Sequence, residues 1–287
     1  MSFQNEAILL IHCEDKPGII AAVTQYILDH KGNILDLDQH TDSEKQKFYM
    51  RVSWDLEHFD LEREEIRSSF NKEIGDPFEM KWELYFADQT PRVALFVSRQ
   101  QHCLFDILAR WQSGEWKVEI PLIISNHEQA SETAEKFGIQ FYHLPISKEN
   151  KAEQEAVQLE LLKENGIDLV VLARYMQILS GNFIDQFRNR IINIHHSFLP
   201  AFPGARPYHS AHERGVKIIG ATSHYVTEDL DEGPIIEQEI VHVTHRDDVP
   251  SLVRKGRDLE TIVLSRAVWK HIERKTLVTD NRTIIFN

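Results

Sequence analysis

The sequence predicts two α/β units in tandem. A ferredoxin-like α+β domain occupies residues 1–86, and a doubly wound, mostly parallel-sheet domain occupies residues 92–287. Three observations predict this. The first third of the chain reads strand, helix, strand, strand, helix, strand by its apolar periodicity. From Arg92 the pattern changes to alternating strands and helices, which implies a parallel sheet with crossover helices. Between them, Ala87-Asp88-Gln89-Thr90-Pro91 is short and polar, and Pro91 favours an extended approach, so residues 87–91 read as the linker.

Residues 7–12 are a short apolar run, expected as a buried strand and broken by Glu14-Asp15-Lys16-Pro17-Gly18. Ile19, Ile20, Val23, Tyr26 and Ile27 recur at helical spacing, and Gly32-Asn33 ends that helix. Residues 34–38 read as a second strand, and Phe48, Met50, Val52 and Trp54 alternate as a third. Asp60 is expected to cap a helix carrying Leu61, Ile66, Phe70 and Ile74. Phe78, Met80, Trp82, Leu84 and Phe86 alternate as the last strand of this unit. In the second unit, strands are expected at 93–97, 118–124, 141–144, 169–172, 191–194, 218–226 and 235–243. Helices are expected at 104–111, 128–137, 148–165, 180–187 and 249–274. The run 169–172 is wholly apolar, as a strand covered on both faces should be.

The chain of 287 residues carries a net charge of −13. That balance argues against a nucleic-acid backbone as partner, since phosphates need clustered Lys and Arg. No run approaches membrane-spanning length, and residues 7–11 are too short and lack the basic lead of a signal peptide. Cys13 and Cys103 cannot build a disulfide framework, so a reducing cytoplasm is the expected location.

The chemistry-bearing stretch is 191–238. Asn193 and His195 lie two apart, so on a strand they share a face. They also sit at the carboxyl end of their strand, where ligands bind on such sheets. A carboxamide and an imidazole together can hold a carbonyl oxygen and supply a proton. Asp231, in a loop closed by Gly233-Pro234, offers the carboxylate that would orient and charge the imidazole. Taken singly, each has a plainer reading: Asn193 as a loop cap, His195 as a core hydrogen bonder, Asp231 as a turn carboxylate. His195, His196, His209, His212 and His224 also invite a metal reading. The His209-x-x-His212 spacing is not that of a helical zinc pair, and no Cys is near, so no metal is expected.

Three runs carry a resemblance to the folate-dependent formyltransferase family. They are Asn193-x-His195-x-Ser197-x-Leu199-Pro200, Gly220-x-Thr222-x-His224-x-Val226 and Asp231-x-Gly233-Pro234-Ile235-Ile236-x-Gln238. The resemblance extends back to about Arg92. It implies that Asn193, His195 and Asp231 are the catalytic triad. It further implies that Leu172, Met176, Gln177, Ile178 and Leu179 line a pterin pocket whose other wall is the loop from Thr227 to Asp231. Gln177 stands where some members carry a basic residue, and His196 stands where others carry Pro, either as a contact to the nucleophile or only as a space-filling ring. With Asp15-x-Pro17-Gly18 after the first strand and Gly32-Asn33-Ile34 before the second, the N-terminal unit resembles an ACT domain. That implies an amino-acid effector, glycine or methionine, near Asp15, Pro17, Gly18, Asn33 and Ile34, and a homo-oligomer. The plainer reading of Pro17-Gly18 is a turn that starts a helix.

The acceptor follows from what the motifs leave out. Ser98-Arg99-Gln100-Gln101-His102-Cys103-Leu104 has no glycine, whereas a ribonucleotide-binding relative should carry a Gly-rich phosphate loop there. A tRNA-formylating relative should carry a further C-terminal domain and a basic face, while this acidic chain ends at Asn287. Water remains, as in the deformylase branch of the family. The expected reaction is hydrolysis of 10-formyltetrahydrofolate to tetrahydrofolate and formate, the formate feeding purine synthesis, with no metal or bound cofactor. Two alternatives stay open: a transformylase with an unidentified amine acceptor, and an amino-acid-responsive binding protein with a silent folate site.

Overall fold

A computed structural model describes residues 5–200 and 207–287, and the chain divides between Thr90 and Pro91. The first unit runs β1 (Glu6–Glu14), α1 (Ile19–Asp29), β2 (Asn33–Asp42), β3 (Lys47–Asp55), α2 (Arg63–Phe70) and β4 (Lys81–Phe86). Its strands are antiparallel in the order β2-β3-β1-β4, the ferredoxin-like arrangement. Alternation along the strands decides the core: Leu9, Ile11, Val52 and Trp54 pack with Val23, Ile27 and Phe70 of the helices. Gly18 precedes α1 at φ 94°, a left-handed conformation that glycine adopts without strain, so the Pro17-Gly18 pair does start a helix.

Two local expectations are corrected. Asp60 does not cap α2; its carboxylate pairs with His30 Nδ1 at 2.8 Å, and Glu62 precedes the helix with its N–H donating to Glu65 at 3.4 Å. β4 is shorter than the alternation suggests, because a π turn at Asn71–Gly75 and Glu79 at φ 53° hold Phe78 and Met80 outside the strand.

The second unit runs β5 (Arg92–Val97), α3 (His102–Gln112), β6 (Glu119–Ser125), α4 (Ser131–Lys136), β7 (Gln140–His143), α5 (Lys151–Glu164), β8 (Leu169–Ala173), α6 (Gly181–Gln186), β9 (Ile191–His195), α7 (Pro207–Arg214), β10 (Ile218–Tyr225), β11 (Ile235–His242) and α8 (Val249–Ile272). The sheet order is β11-β10-β9-β8-β5-β6-β7. β5 to β9 are parallel, and β10 and β11 are antiparallel additions at one edge. The order reverses at β5, which lies between β6 and β8, so the carboxyl ends of β8 and β9 open on a switch-point crevice. α7 was not expected, because Pro-Tyr-His-Ser-Ala-His-Glu-Arg carries no apolar stripe; of it Ala211 is buried. The helix expected at 128–137 opens as a 3₁₀ turn at Glu128–Ala130 before α4 begins.

After α8 the chain forms a hairpin, β12 (Thr276–Thr279) and β13 (Arg282–Ile285), that periodicity did not reveal. Arg274–Leu277 and Ile284–Asn287 belong with the first unit, so the second does not run unbroken to residue 287. The cause is the second apolar face of the small sheet. Leu10 and Tyr49 point away from its helices and are covered by Leu277 and Phe286. Arg51 Nε donates to the Arg274 carbonyl at 3.1 Å, and the Asn287 N–H donates to Asp38 at 3.0 Å. The expected linker is also partly tied down: the Ala87 N–H donates to the Glu6 carbonyl at 2.9 Å, and Asp88 pairs with Arg63 at 2.6 Å. Phe286→Ala should therefore destabilise the first unit by about 3 kcal/mol, as buried Phe truncations do. Hydrogen exchange of the β1 and β3 amides in urea would show it, and unchanged protection would contradict this packing account.

Candidate active site

The site is built where β9 meets β10. In register, Asn193 lies opposite His224 and His195 opposite Thr222. His195 closes β9, and because it is two residues from Asn193 both side chains emerge on one face, as the spacing predicted. The loop after β9 is fastened by Thr222, which is fully buried. Its hydroxyl donates to the Ser197 carbonyl at 2.9 Å and accepts from the Leu199 N–H at 3.0 Å and from Gln238 Nε2 at 3.0 Å. Gln238 Nε2 also reaches the Leu199 carbonyl at 3.1 Å. Ser197, Leu199, Thr222 and Gln238 thus form one knot that aims the residues between them.

Asp231 arrives from the loop between β10 and β11 at φ 59°. Gly233 brings it there: a β-carbon at that position would lie 1.8 Å from the Tyr225 carbonyl oxygen, so only glycine permits the approach. The Tyr225 N–H donates to the Pro234 carbonyl at 2.9 Å and closes the turn. Asp231 Oδ2 then lies 3.2 Å from His195 Nδ1, and Oδ1 lies 3.7 Å from His224 Nε2. His224 Nδ1 faces the Tyr225 carbonyl at 2.9 Å, which can only accept, so Nδ1 carries a proton. In neutral His224, Nε2 accepts from Asn193 Nδ2 at 3.2 Å. His195 Nε2 lies 2.9 Å from the Ser197 hydroxyl, so both ring nitrogens of His195 have protein partners.

These contacts set protonation. His195 above all holds the Asp231 carboxyl well below the usual carboxylate range despite partial burial. His196 is 8% exposed, and its ring stacks on His195 at 5.0 Å between centroids. Burial, then the charge of Arg174, then His195 push its pKa down to about 4, so it is neutral near pH 7.

A cavity of about 320 Å³ opens on this group. The structure brings together on it Asn193, His195, His196, Asp231, Leu172, Met176, Gln177, Ile178, Leu179 and Thr227. Met176 and Ile178 are 62% and 58% exposed and form an apolar mouth with Leu230. The 174–179 segment is held from behind by α5, where Gln158 Nε2 donates to the Tyr175 hydroxyl at 2.9 Å and Glu155 accepts from the Ser180 N–H at 3.0 Å. Sequence reasoning missed two lining residues of consequence. His224 stood in a quoted motif and in the discounted metal reading without a catalytic role, and Arg174 was given no role; it lines the cavity from a backbone at a left-handed φ of 65°.

Among the described residues, the group of His, Cys and carboxylate ligand atoms lying within 4.8 Å of one another is His102, Cys103 and Glu260, not the histidines of the signature. Arg174 already faces that carboxylate at 3.5 Å, and burial, with Glu260 second, pushes the Cys103 thiol far up. Both features oppose a cation there.

The expected effector residues do not meet within one chain. Asp15, Pro17 and Gly18 precede α1, whereas Asn33 and Ile34 follow it at the start of β2. The 11 residues of α1 span about 16 Å between those two ends. Asn33 pairs with Asp55, beside the beginning of β1, while Asp15 follows its end.

Comparison with known proteins agrees with this anatomy. Residues 91–268 match the family model of formyl transferases, and residues 7–75 match that of the ACT domain. A formyltetrahydrofolate deformylase of Synechocystis sp. is 58% identical over 98% of this chain and 98% of its own length. The Bacillus subtilis protein of that name is 48% identical over 97% of this chain and 93% of its own. The crystal structure of a formyltetrahydrofolate deformylase from Pseudomonas syringae superposes with a TM-score of 0.96 at 42% identity, covering 98% of this chain and 94% of that one.

The depressed pKa of His196 has a consequence for stability. Its folded value of about 4 lies below the ordinary 6.5, so its contribution is complete above pH 6.5 and is lost as pH falls toward 4. Urea unfolding across that window should show a steeper loss in the native chain than in His196→Gln. Parallel profiles would contradict the burial of a neutral imidazole.

Proposed function

The chain belongs to the formyltetrahydrofolate deformylase family, and from that premise we propose that it hydrolyses 10-formyltetrahydrofolate to tetrahydrofolate and formate. The observation that carries the proposal is Asp231 held at 3.2 Å from His195, beside Asn193, on a cavity with an apolar mouth. The mouth suits a flat pterin, and the inner end suits a formyl group. Water attacks the formyl carbon, the carbon–nitrogen bond breaks, one water proton goes to the leaving nitrogen, and the other is released as formate ionises.

Asn193 Nδ2 has two N–H bonds. One reaches His224 and the second is the donor for the tetrahedral oxyanion. A carboxylate as strongly stabilised as Asp231 is a weak base, so its role is to orient the water through Oδ1 and to hold the His195 ring through Oδ2. His195 takes up the water proton as the attack proceeds and returns it to the leaving nitrogen. This scheme calls on no metal or bound cofactor.

The N-terminal unit is an ACT domain, and an amino acid, glycine or methionine, is its proposed effector. Because α1 separates the two halves of the expected effector site, a joint site would require two copies of the chain, which supports a homo-oligomer. Among the described residues no helix is long and apolar enough to cross a membrane, and both cysteines are free and buried. These features support cytoplasmic placement.

Tetrahydrofolate and formate should be released over many turnovers without added acceptor. Asn193→Ala should lower kcat about 10²–10³-fold and His195→Gln about 10²–10⁴-fold. Turnover that appears only when an amine is added would make the chain a transferase. Tight folate binding with no turnover would make it a silent binding protein. Saturating glycine and methionine should alter turnover or thermal stability, and no response to either would remove the effector proposal.

A further inference from the structure

The same cavity has a second polar region that the hydrolysis scheme leaves unused. Arg174 is 8% exposed and lines the cavity together with His195 and His196. Its Nε lies 3.5 Å from Glu260 Oε2, and among the described residues neither Nε nor Nη1 has a hydrogen-bond partner, although both atoms are buried. Glu260 balances the charge of Arg174 across that gap, but each of its oxygens has a nearer hydrogen-bond partner. Oε2 lies 2.7 Å from His102 Nε2, and Oε1 accepts from the Tyr208 hydroxyl at 2.8 Å. Gly256 on α8 makes room for that Tyr208, whose hydroxyl would otherwise lie 2.0 Å from a β-carbon.

A guanidinium cannot relieve unpaired N–H groups by losing its proton. Buried donors of this kind are ordinarily satisfied, and an exception calls for an explanation such as an ion or a catalytic role. The neighbouring His196 is neutral near pH 7, so it offers one ring N–H without adding a second fixed charge. Asp231 lies across the cavity, but its charge is engaged by His195.

We propose that Arg174 and His196 form an anion site that receives the one-carbon carboxylate product as the carbon–nitrogen bond breaks. The identity of the anion as formate rests on the hydrolytic reading; the site itself rests on guanidinium N–H groups that lack a hydrogen-bond acceptor. The apolar mouth, at Met176, Ile178 and Leu230, leaves this small planar anion as the species suited to the inner end.

Calorimetric titration of sodium formate, with sodium chloride as control, tests the site without turnover. The native chain should bind formate, and Arg174→Gln should weaken binding roughly ten- to a hundredfold, the scale of one charge-assisted hydrogen bond. Arg174→Lys should recover part of the loss. Equal affinity in native and Arg174→Gln proteins, both folded by circular dichroism, would overturn the site, as would a native chain that binds no formate. Should Arg174→Gln fail to fold, a crystal of the native chain grown in sodium formate decides. A carboxylate on the Arg174 guanidinium upholds the proposal, and formate elsewhere or absent overturns it. Formate bound at Arg174 in a chain that never hydrolyses the folate would sink the hydrolytic reading alone. Hydrolysis with an Arg174-independent formate affinity would sink this inference alone.

Discussion

One carboxylate faces two imidazoles at the end of β9, and the arrangement of the second unit converges on holding it there. Asp231 reaches His195 and His224 only because its loop folds back onto β10, and the loop folds back only because Gly233 presents no β-carbon to the Tyr225 carbonyl. The resulting field has a direction. Asp231 stays ionised, His224 is turned by the Tyr225 carbonyl so that Nε2 faces Asn193, and Asn193 is left with one N–H for a substrate oxygen. Preorganised donors of this kind need no reorganisation as charge develops, which is the main electrostatic advantage of a folded site over water.

The cavity separates two kinds of surface. Its mouth is apolar and partly exposed, at Met176, Ile178 and Leu230, and its inner end holds Asn193, His195, His196 and Arg174. This division depends on polar residues buried elsewhere for structural reasons. Gln158 and Glu155 lie on the inner face of α5 and hold the Tyr175–Ser180 segment by hydrogen bonds. Glu260, at 1% exposure, stays ionised: burial raises its pKa, but His102 and Arg174 outweigh that and lower it. A buried carboxylate is tolerated only with such partners, so the floor behind the cavity is a paired network rather than an apolar core.

The fold of both units was legible in periodicity. Met50, Val52 and Trp54 alternate with Arg51 and Ser53, and residues 169–172 form an unbroken apolar run, so antiparallel and parallel sheets announced themselves separately. The pairing of Asn193 with His195 was legible too, since a two-residue spacing on a strand has one geometric meaning. The grouping of Asp231 with them came from the quoted signature, not from spacing. The C-terminal hairpin was not legible, because the need of Leu10 and Tyr49 for cover does not say which distant segment supplies it. Asp60 was misread as a cap because its partner, His30, is 30 residues away in sequence.

Local pattern, then, carried the element types, the order of the two units and the residue types of the site. Tertiary structure alone decided which donors and acceptors face one another. His224 became the partner of Asn193 through a cross-strand register, and Arg174 came to the cavity wall through one left-handed backbone angle. Among the described residues its Nε and Nη1 were left without a hydrogen-bond acceptor, although Glu260, brought in by α8 and held by His102 and Tyr208, balances its charge. Periodicity is a property of neighbours along the chain, whereas protonation and hydrogen-bond balance depend on groups that meet only when the sheet and its crossover helices have closed.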